Sequence, residues 1–335
     1  MPVGLKDVAE RAGVSIKTAS NVVNGYIHVR PHTRARVEQA IEALGYRPNL
    51  TARSLRGGRT GVIALALPEL TSPYFAEIAR GVIVAAEARG WTVLIDQTDG
   101  VRERELEVLR GIRDHLIDGI IFSPLALGEQ DLRAAGSQIP IVCLGERVHA
   151  GTMDHIAIDN IAAARTATTH LVDRGRRRIA AIGAQLSPVA ETARLRLAGY
   201  TEALRAAGLA FHPGLVQPAG AWHRADGVLA ATQLVESGER PDAIFCFNDL
   251  LALGAMHGLA QLGVRVPDDI AIVGIDDIEE SRYVRPTLTT ISPDKDAIAR
   301  TSVALMADRL DRRSGSDAAG EEIEVAFHLA IRDST

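Results

Sequence analysis

Residues 5–25 read LKDVAERAGVSIKTASNVVNG, and this stretch decides how the N-terminal part of the chain is expected to fold. Apolar residues recur with the i, i+3, i+4, i+7 spacing of an amphipathic helix at Leu5, Val8, Ala9 and Ala12. Gly13 ends this helix, and Ser15 can cap a second one that ends by Asn24-Gly25. Two short helices joined by a tight glycine turn predict a helix-turn-helix arrangement.

The next segment predicts a third helix and then a linker. Thr33 opens the helix and Gly45 follows it, with an apolar stripe at Val37, Ala40, Ile41 and Leu44. Over residues 46–60 the apolar signal thins, and a helix over 49–56 would be shorter than the roughly 12 to 15 residues at which an isolated helix is marginal in water. We therefore predict a linker that becomes helical only with a partner.

Charge separates this head from the remainder of the 335 residues. The first 60 residues hold ten Lys or Arg and four Asp or Glu, a net +6, whereas the rest hold 27 and 38, a net −11. A small basic head on an acidic body indicates a polyanion-binding module joined to a part with another task. The apolar content of 47% excludes disordered and fibrous classes.

From Gly61 the pattern changes to short apolar runs that alternate with helical stripes, beginning with the run 62–67 and ending with 288–291. This alternation predicts doubly wound parallel sheets. About 270 residues are many for one sheet, so we predict two α/β lobes with a cleft between them.

Other classes of protein have little support. Cys143 and Cys246 lie in apolar runs, which fits buried thiols in a reducing cytoplasm. No run approaches the roughly 18 to 20 apolar residues of a membrane helix, and the N-terminus does not resemble a signal peptide. The chain contains no G-x-G-x-x-G after a strand, no P-loop and no G-x-S-x-G, so we predict neither catalysis nor a cofactor or metal.

The outer face of the second helix has the composition of a DNA-reading surface, carried by Ile16, Lys17, Thr18, Ser20 and Asn21. Short polar side chains near the start of a recognition helix meet base edges. Lys17 can donate to guanine, Asn21 can pair with adenine, and Ile16 can contact a thymine methyl group. The alternative for each residue is a solvated helix surface.

The chain resembles the LacI/GalR family of bacterial transcription regulators over nearly its whole length. The resemblance rests on residues 5–25, on TRARVEQAIEALGYRPNLTARSLRGGRTGVIAL (33–65), and on the later motifs LPELTSPYFAEIARG, HIAIDN, ARLRLAGY, FNDLLALGA, GVRVPDDIAIVGIDD and RPTLTTI. It implies a headpiece over 1–45, a hinge helix over 46–60 and an effector-binding core over 61–335. The core would resemble a periplasmic sugar-binding protein and would work as a dimer or a dimer of dimers.

We expect the lobe boundaries of that core near residues 159, 291 and 320. The N-terminal lobe then comprises about 61–159 and 292–320, and the C-terminal lobe about 160–291 and 321–335.

In the head, the resemblance assigns base reading to Ile16, Lys17 and Asn21. It places a second group near phosphates or sugars: Thr18, Ser20, Asn24, His28 and Thr33. Leu55 matches a leucine that wedges into the minor groove, with Arg53 and Arg56 as phosphate or groove contacts. The alternatives are that Leu55 packs on the core and that both arginines are solvated. Asn21 departs from the arginine common in the family, so the operator is expected to differ there.

In the core, polar and aromatic residues follow the carboxyl ends of predicted strands, where doubly wound folds bind ligands. The resemblance matches Arg196, Trp222, Asn248 and Asp276 to effector contacts of a sugar-responsive member. Tyr74 and Phe75 match aromatic contacts of a purine-responsive one. The alternatives are structural ion pairs for Arg196 and Asp276, core or dimer packing for Trp222 and helix-start packing for Tyr74. Asp249 is expected to cap a helix.

Together these features predict a DNA-binding regulator, a repressor on a palindromic operator, that responds to a small effector. The effector could be a mono- or disaccharide, a nucleoside or a sugar phosphate, with a sugar favoured. The Gly145-Glu146-Arg147 segment departs from the family's Asp-Arg pair, and the basic run 174–178 could bind phosphate or cap a helix end. The alternative function is a sugar-binding protein without a DNA role.

Overall fold

The computed structural model describes residues 3–23, 26, 28–46, 59–110, 117–135, 139–145, 153–185, 190–312 and 320–335. The chain divides into two compact units, Met1–Thr60 and Gly61–Thr335.

The first unit is a three-helix headpiece. Its helices are α1 (Leu5–Ala12), α2 (Ile16–Val23) and α3 (Pro31–Leu44). Their inward faces form one small core of Val8, Ala9, Ala12, Ala19, Val22, Val37 and Ala40. The expected start of α3 at Thr33 is wrong, because proline suits the first helical turn and the helix begins two residues earlier at Pro31.

The turn between α1 and α2 follows the sequence prediction. Gly13 adopts a left-handed φ of 62° and ends α1. A Cβ at this position would lie 2.6 Å from the guanidinium of Arg36, which donates to the carbonyls of Ala12 and Gly13 at the end of α1. Ser15 Oγ accepts the amide of Thr18 at 3.1 Å, so it caps α2 as predicted.

The second unit contains two six-stranded sheets flanked by helices, which confirms the predicted fold class. The first sheet has the order β11-β5-β4-β3-β1-β2, and all its pairs are parallel. Its strands are β1 (Val62–Leu67), β2 (Thr92–Gln97), β3 (Gly119–Phe122), β4 (Ile141–Leu144), β5 (Asp154–Ala157) and β11 (Glu322–Glu324).

The second sheet has the order β12-β10-β9-β8-β6-β7, and only the β10–β12 pair is antiparallel. Its strands are β6 (Ile179–Ala184), β7 (Val216–Pro218), β8 (Ala243–Cys246), β9 (Ala271–Ile275), β10 (Thr289–Pro293) and β12 (Phe327–Ala330).

Eight further helices flank these sheets among the described residues. They are α4 (Pro73–Glu87), α5 (Arg102–Leu109), α6 (Glu129–Ala135), α7 (Asn160–Asp173), α8 (Glu191–Ala206), α9 (Arg224–Glu236), α10 (Asp249–Gln261) and α11 (Lys295–Asp311). The chain crosses between the sheets after β5, after β10 and after β11. No helix of the described part is long and apolar enough to cross a membrane.

The last crossover differs from the expected boundary at residue 320. Strand β11 pairs with β5 in the first sheet, with Ile323 opposite Ile156, so the N-terminal lobe extends to Glu324. This strand has three residues with only Ile323 half-buried, so it lacks the apolar run that marks the central strands.

Candidate DNA-reading face and ligand cavity

The predicted DNA-reading residues lie on α2, whose opposite face packs into the head core through Ala19 and Val22. The Ile16 side chain is 45% exposed and Lys17 is exposed, whereas Ser20 and Asn21 are half-buried beside them. These four side chains share the outward side of the helix. Such a surface can present polar and apolar groups to base edges.

The residues expected near phosphates differ from one another in exposure and in their contacts. Thr18 is half-buried, and its hydroxyl lies 2.8 Å from Ser15 Oγ, so it takes part in the cap of α2. His28 is exposed and its ring stands edge-on to Tyr26 at 5.3 Å. Thr33 is half-buried beside His32. Four predicted residues lie outside the described residues: Asn24, Arg53, Leu55 and Arg56.

In the second unit, a cavity of about 620 Å³ lies between the two lobes. The structure brings all six predicted effector residues to its wall: Tyr74, Phe75, Arg196, Trp222, Asn248 and Asp276. The N-terminal lobe contributes the two aromatic residues at the start of α4, and the C-terminal lobe contributes the other four. Residues that come from distant stretches of sequence therefore meet at one concave site.

Arg196 on α8 is held by three groups. Its Nε donates to Asn160 Oδ1 at 2.7 Å, a second nitrogen donates to the carbonyl of Phe247, and the guanidinium lies 5.4 Å from the ring centre of Trp222. The side chain is buried, so its orientation is fixed before any ligand arrives. Asn160 is the last residue of the HIAIDN motif, and no role was predicted for it from the sequence.

Trp222 forms a rigid wall of the cavity. Its indole Nε1 donates to the carbonyl of Gly183 at 2.9 Å, and its ring stands edge-on to Phe247 at 5.9 Å. Gly183 has a φ of 127°, and a Cβ there would lie 2.5 Å from the Phe247 side chain. Only glycine permits this close approach.

Asn248 is the N-cap of α10, which corrects the expectation that Asp249 caps this helix. Asn248 Oδ1 accepts the amide of Leu251 at 2.9 Å, and its Nδ2 donates to the carbonyl of Trp222 at 3.1 Å. Because the amide side chain occupies the cap position, the next residue falls inside the first turn and points into the lobe.

Asp249 instead lies fully buried behind the cavity. Its carboxylate accepts from Ser281 Oγ at 2.7 Å, Thr290 Oγ1 at 2.6 Å and the amide of Ile278 at 3.1 Å. Burial and, secondarily, the nearby charge of Asp276 raise the pKa of Asp249 to about 8.

Asp276 follows β9 in a turn with unusual backbone geometry. Its φ is 125° and that of Asp277 is 47°. The carboxylate of Asp277 accepts from Arg332 at 2.5 Å, Arg282 at 2.9 Å and Ser292 at 3.0 Å, which anchors the turn in the C-terminal lobe. Asp276 is thereby presented at the cavity wall.

The cavity wall also contains polar residues that sequence reasoning missed: Glu69, Gln97, Asp99, Ser123, Gln185, Glu191, Thr192 and His223. Gln97 ends β2, Ser123 follows β3 and Gln185 follows β6, so the rule that ligands bind at the carboxyl ends of strands could have found all three. The others lie on loops and at a helix start, where no periodic pattern marks them.

The basic run is structural. Arg176 donates to the carbonyl of Pro267 at 2.7 Å, Arg177 to that of Val172 at 3.0 Å, and Arg178 to Glu239. These contacts support the helix-end interpretation rather than phosphate binding. Glu146 and Arg147 lie outside the described residues. No cluster of three or more His, Cys, Asp or Glu that could hold a metal occurs in the described part of the chain.

Family models match both units of the chain. Residues 4–49 match the model of bacterial regulatory proteins of the lacI family, and residues 168–335 match a periplasmic binding protein-like domain. The HTH-type transcriptional repressor PurR of Aliivibrio fischeri is 34% identical over 313 residues, which cover 91% of each chain.

The chain belongs to the LacI family of bacterial regulatory proteins.

Two solved structures of LacI-type regulators support this assignment. The lac repressor dimer bound to operator and the anti-inducer ONPF is 30% identical, with a TM-score of 0.86 over 100% of this chain and 99% of that chain. A complex of the transcriptional regulator CelR with cellobiose is 31% identical, with a TM-score of 0.73 over 99% and 100%. All three relatives are named as transcriptional repressors or regulators.

Proposed function

We propose that this LacI-family regulator is a cytoplasmic repressor that binds a palindromic operator as a dimer and responds to a small effector in the inter-lobe cavity. The observation that carries the proposal is the convergence of six predicted residues on one cavity, in a chain whose helix α2 also presents the residues predicted to read DNA. A secreted sugar-binding protein would have no use for such a headpiece.

The operator contacts would come from Ile16, Lys17 and Asn21 on α2, with the hinge residues 53–56 at the centre of the site. The hinge would fold when two copies meet at the operator dyad, because a helix this short is unstable alone. The lobes would have two arrangements, one that allows the hinges to meet on DNA and one that does not. An effector that binds one arrangement more tightly than the other would shift the equilibrium towards it and so change the affinity for DNA.

The chemistry of the cavity favours an uncharged, hydroxyl-rich effector such as a sugar. Its wall carries four carboxylates, from Glu69, Asp99, Glu191 and Asp276, and the first three pair with His223, Arg104 and Arg194 respectively. The basic residues of the wall are His223 and Arg196, whose guanidinium donates to Asn160 and to the carbonyl of Phe247. Carboxylates accept hydrogen bonds from sugar hydroxyls, and the four carboxylates outnumber the basic residues of the wall, which favours a neutral sugar over its phosphate. The indole of Trp222 offers a face for a sugar ring.

A purine or nucleoside is the second candidate effector. Tyr74 and Phe75 lie edge to face at 5.3 Å on the N-terminal wall, opposite Trp222 on the other lobe. Aromatic groups on both walls can hold a planar base. The relative named PurR agrees with this candidate, and the CelR–cellobiose complex agrees with the sugar.

Two measurements on the full chain test the proposal. Selection from random duplexes should enrich a palindrome, and deletion of residues 1–60 should abolish its binding. A thermal-shift screen should show a rise in midpoint with neutral mono- or disaccharides and none with their phosphates. A rise with sugar phosphates alone would overturn the proposed effector class, and intact operator binding after the deletion would overturn the DNA role.

A further inference from the structure

Lys295 joins the two lobes beside the cavity. It is the first residue of α11, which packs with α4 in the N-terminal lobe. Its ammonium lies 2.6 Å from Glu77 Oε2 on α4 and donates to the carbonyls of Asp276 and Asp277 at 2.8 Å each. An ammonium has three donors, so one side chain of the N-terminal lobe directs two of them to a turn of the C-terminal lobe.

That turn needs such support. Asp276 and Asp277 both have positive φ, a conformation that is strained for a residue other than glycine and persists only where neighbours impose it. The Asp277 side chain is held from within its own lobe, by Arg332 and Arg282. The two carbonyls, in contrast, are held from the other lobe by Lys295.

The same contact reaches both walls of the cavity. The turn presents Asp276 on one wall, and the first turn of α4 presents Tyr74 and Phe75 on the other. Glu77 lies one helical turn further along α4, so the ion pair fixes this part of the helix relative to the ammonium. The Lys295 side chain is 14% exposed and that of Glu77 is 36% exposed, so solvent screens the pair in part from the Glu77 side.

We propose that Lys295 is a positioning residue that holds the Asp276 turn against α4 and so sets the spacing of the two cavity walls. An effector that moves Asp276 must also shift the Lys295 contacts, and this would transmit occupancy of the cavity to the lobe arrangement. The role as an effector relay rests on the proposed function, whereas the mechanical connection between α4 and the turn does not.

Amide hydrogen exchange of the full chain tests the connection without a ligand. The Asp276 amide donates to the carbonyl of Ile291 at 2.9 Å and the Ile278 amide to Asp249, so both report on the turn. We expect Lys295→Met to speed exchange over 276–278 about tenfold, the effect of losing roughly one hydrogen bond, and to speed exchange in the first two turns of α4 as well.

The decisive variant is Glu77→Gln, because Glu77 pairs with Lys295. The charge of Glu77 also acts on Arg282, which binds Asp277, so the double variant separates the two routes. Glu77→Gln should speed exchange over 276–278 in the same direction, and the double variant should exceed Lys295→Met only slightly. Glu87→Gln, at the exposed far end of α4, is the matched control and should change nothing there. Unchanged exchange over 276–278 in Glu77→Gln would overturn the proposal, as would equal acceleration across the whole second sheet in both variants.

Glu77→Gln also keeps the test valid if Lys295→Met does not fold, since it leaves the ammonium present and removes only the charge that fixes it to α4. Operator selection on the same variants separates the two proposals. If the unmodified chain selects no operator, the proposed function is refuted, and the exchange result still tests the role of Lys295.

Discussion

The recognition helix and the cavity wall use side chains in opposite ways. On α2, Ile16 and Lys17 project from a helix that is already held by its own small core, so each can act alone. In the cavity, Arg196, Trp222 and Asn248 are connected to one another by a stacked guanidinium and a side-chain-to-carbonyl bond. Function in the head should therefore be separable from stability, whereas in the cavity the two should change together.

The largest effect is expected for Arg196→Met. It leaves Asn160 Oδ1 and the carbonyl of Phe247 without their donor in a buried site, which should lower the free energy of unfolding of the core by about 2–4 kcal/mol. Urea denaturation of the full chain measures the change, and any thermal shift by the effector should vanish. The exposed Arg205→Met on the same helix is the control, expected within about 0.5 kcal/mol of the parent. An equally small loss for Arg196→Met would contradict the comparison.

Asn21→Arg should change DNA recognition and leave the stability of the chain unchanged. A bidentate pair with guanine contributes about 1–3 kcal/mol of base discrimination, so the selected operator should gain guanine at one symmetric position. The half-buried Asn21 lies on the outward side of α2, and the denaturation midpoint should stay the same. An unchanged base preference in the selection would show that residue 21 does not contact the bases.

The pH dependence of stability sharpens the comparison further. The pKa of Asp249 is raised by burial in the folded state to about 8, from an ordinary value near 3.8. Between those two values the folded chain holds a proton that the unfolded chain has lost. This group's contribution is therefore fully present below about pH 4 and is lost as the pH rises through about 8, with a slope of up to about 1.4 kcal/mol per pH unit.

Asp249→Asn should remove that slope. The free energy of unfolding, measured by denaturation at pH 5 and at pH 8, should therefore differ less between the two pH values in the variant than in the parent. Asp269→Asn is the matched control, since this carboxylate lies at the surface and its pKa is lowered by Arg265. A parent and an Asp249→Asn variant with parallel pH profiles would show that Asp249 is ionised throughout.

The same contrast explains how much the sequence could predict. Periodicity and caps located the three head helices and the central strands, because those signals are local. The six cavity residues were found by strand ends and by resemblance. Asp249 was misassigned because Asn248 and Asp249 are both good capping residues, and only the tertiary contacts of Asp249 with Ser281 and Thr290 distinguish them. The short strand β11 and the Lys295 contact depend on pairing across distant segments, which no local pattern encodes.

The smallest expected effect concerns Ser15, where the head allows stability and DNA affinity to be changed separately. Ser15→Ala removes the acceptor of the Thr18 amide and should destabilise the start of α2 by about 1 kcal/mol, visible as faster amide exchange over 16–20 in the full chain. Ser15→Asp keeps an acceptor and adds a charge that favours the helix N-terminus, so exchange should stay slow. That charge faces DNA phosphates in the proposed complex, so operator affinity should fall more in Ser15→Asp than in Ser15→Ala. If both variants showed faster amide exchange together with a matching loss of operator affinity, stability and function would be coupled in the head as they are in the cavity. The distinction between the two regions would then be wrong.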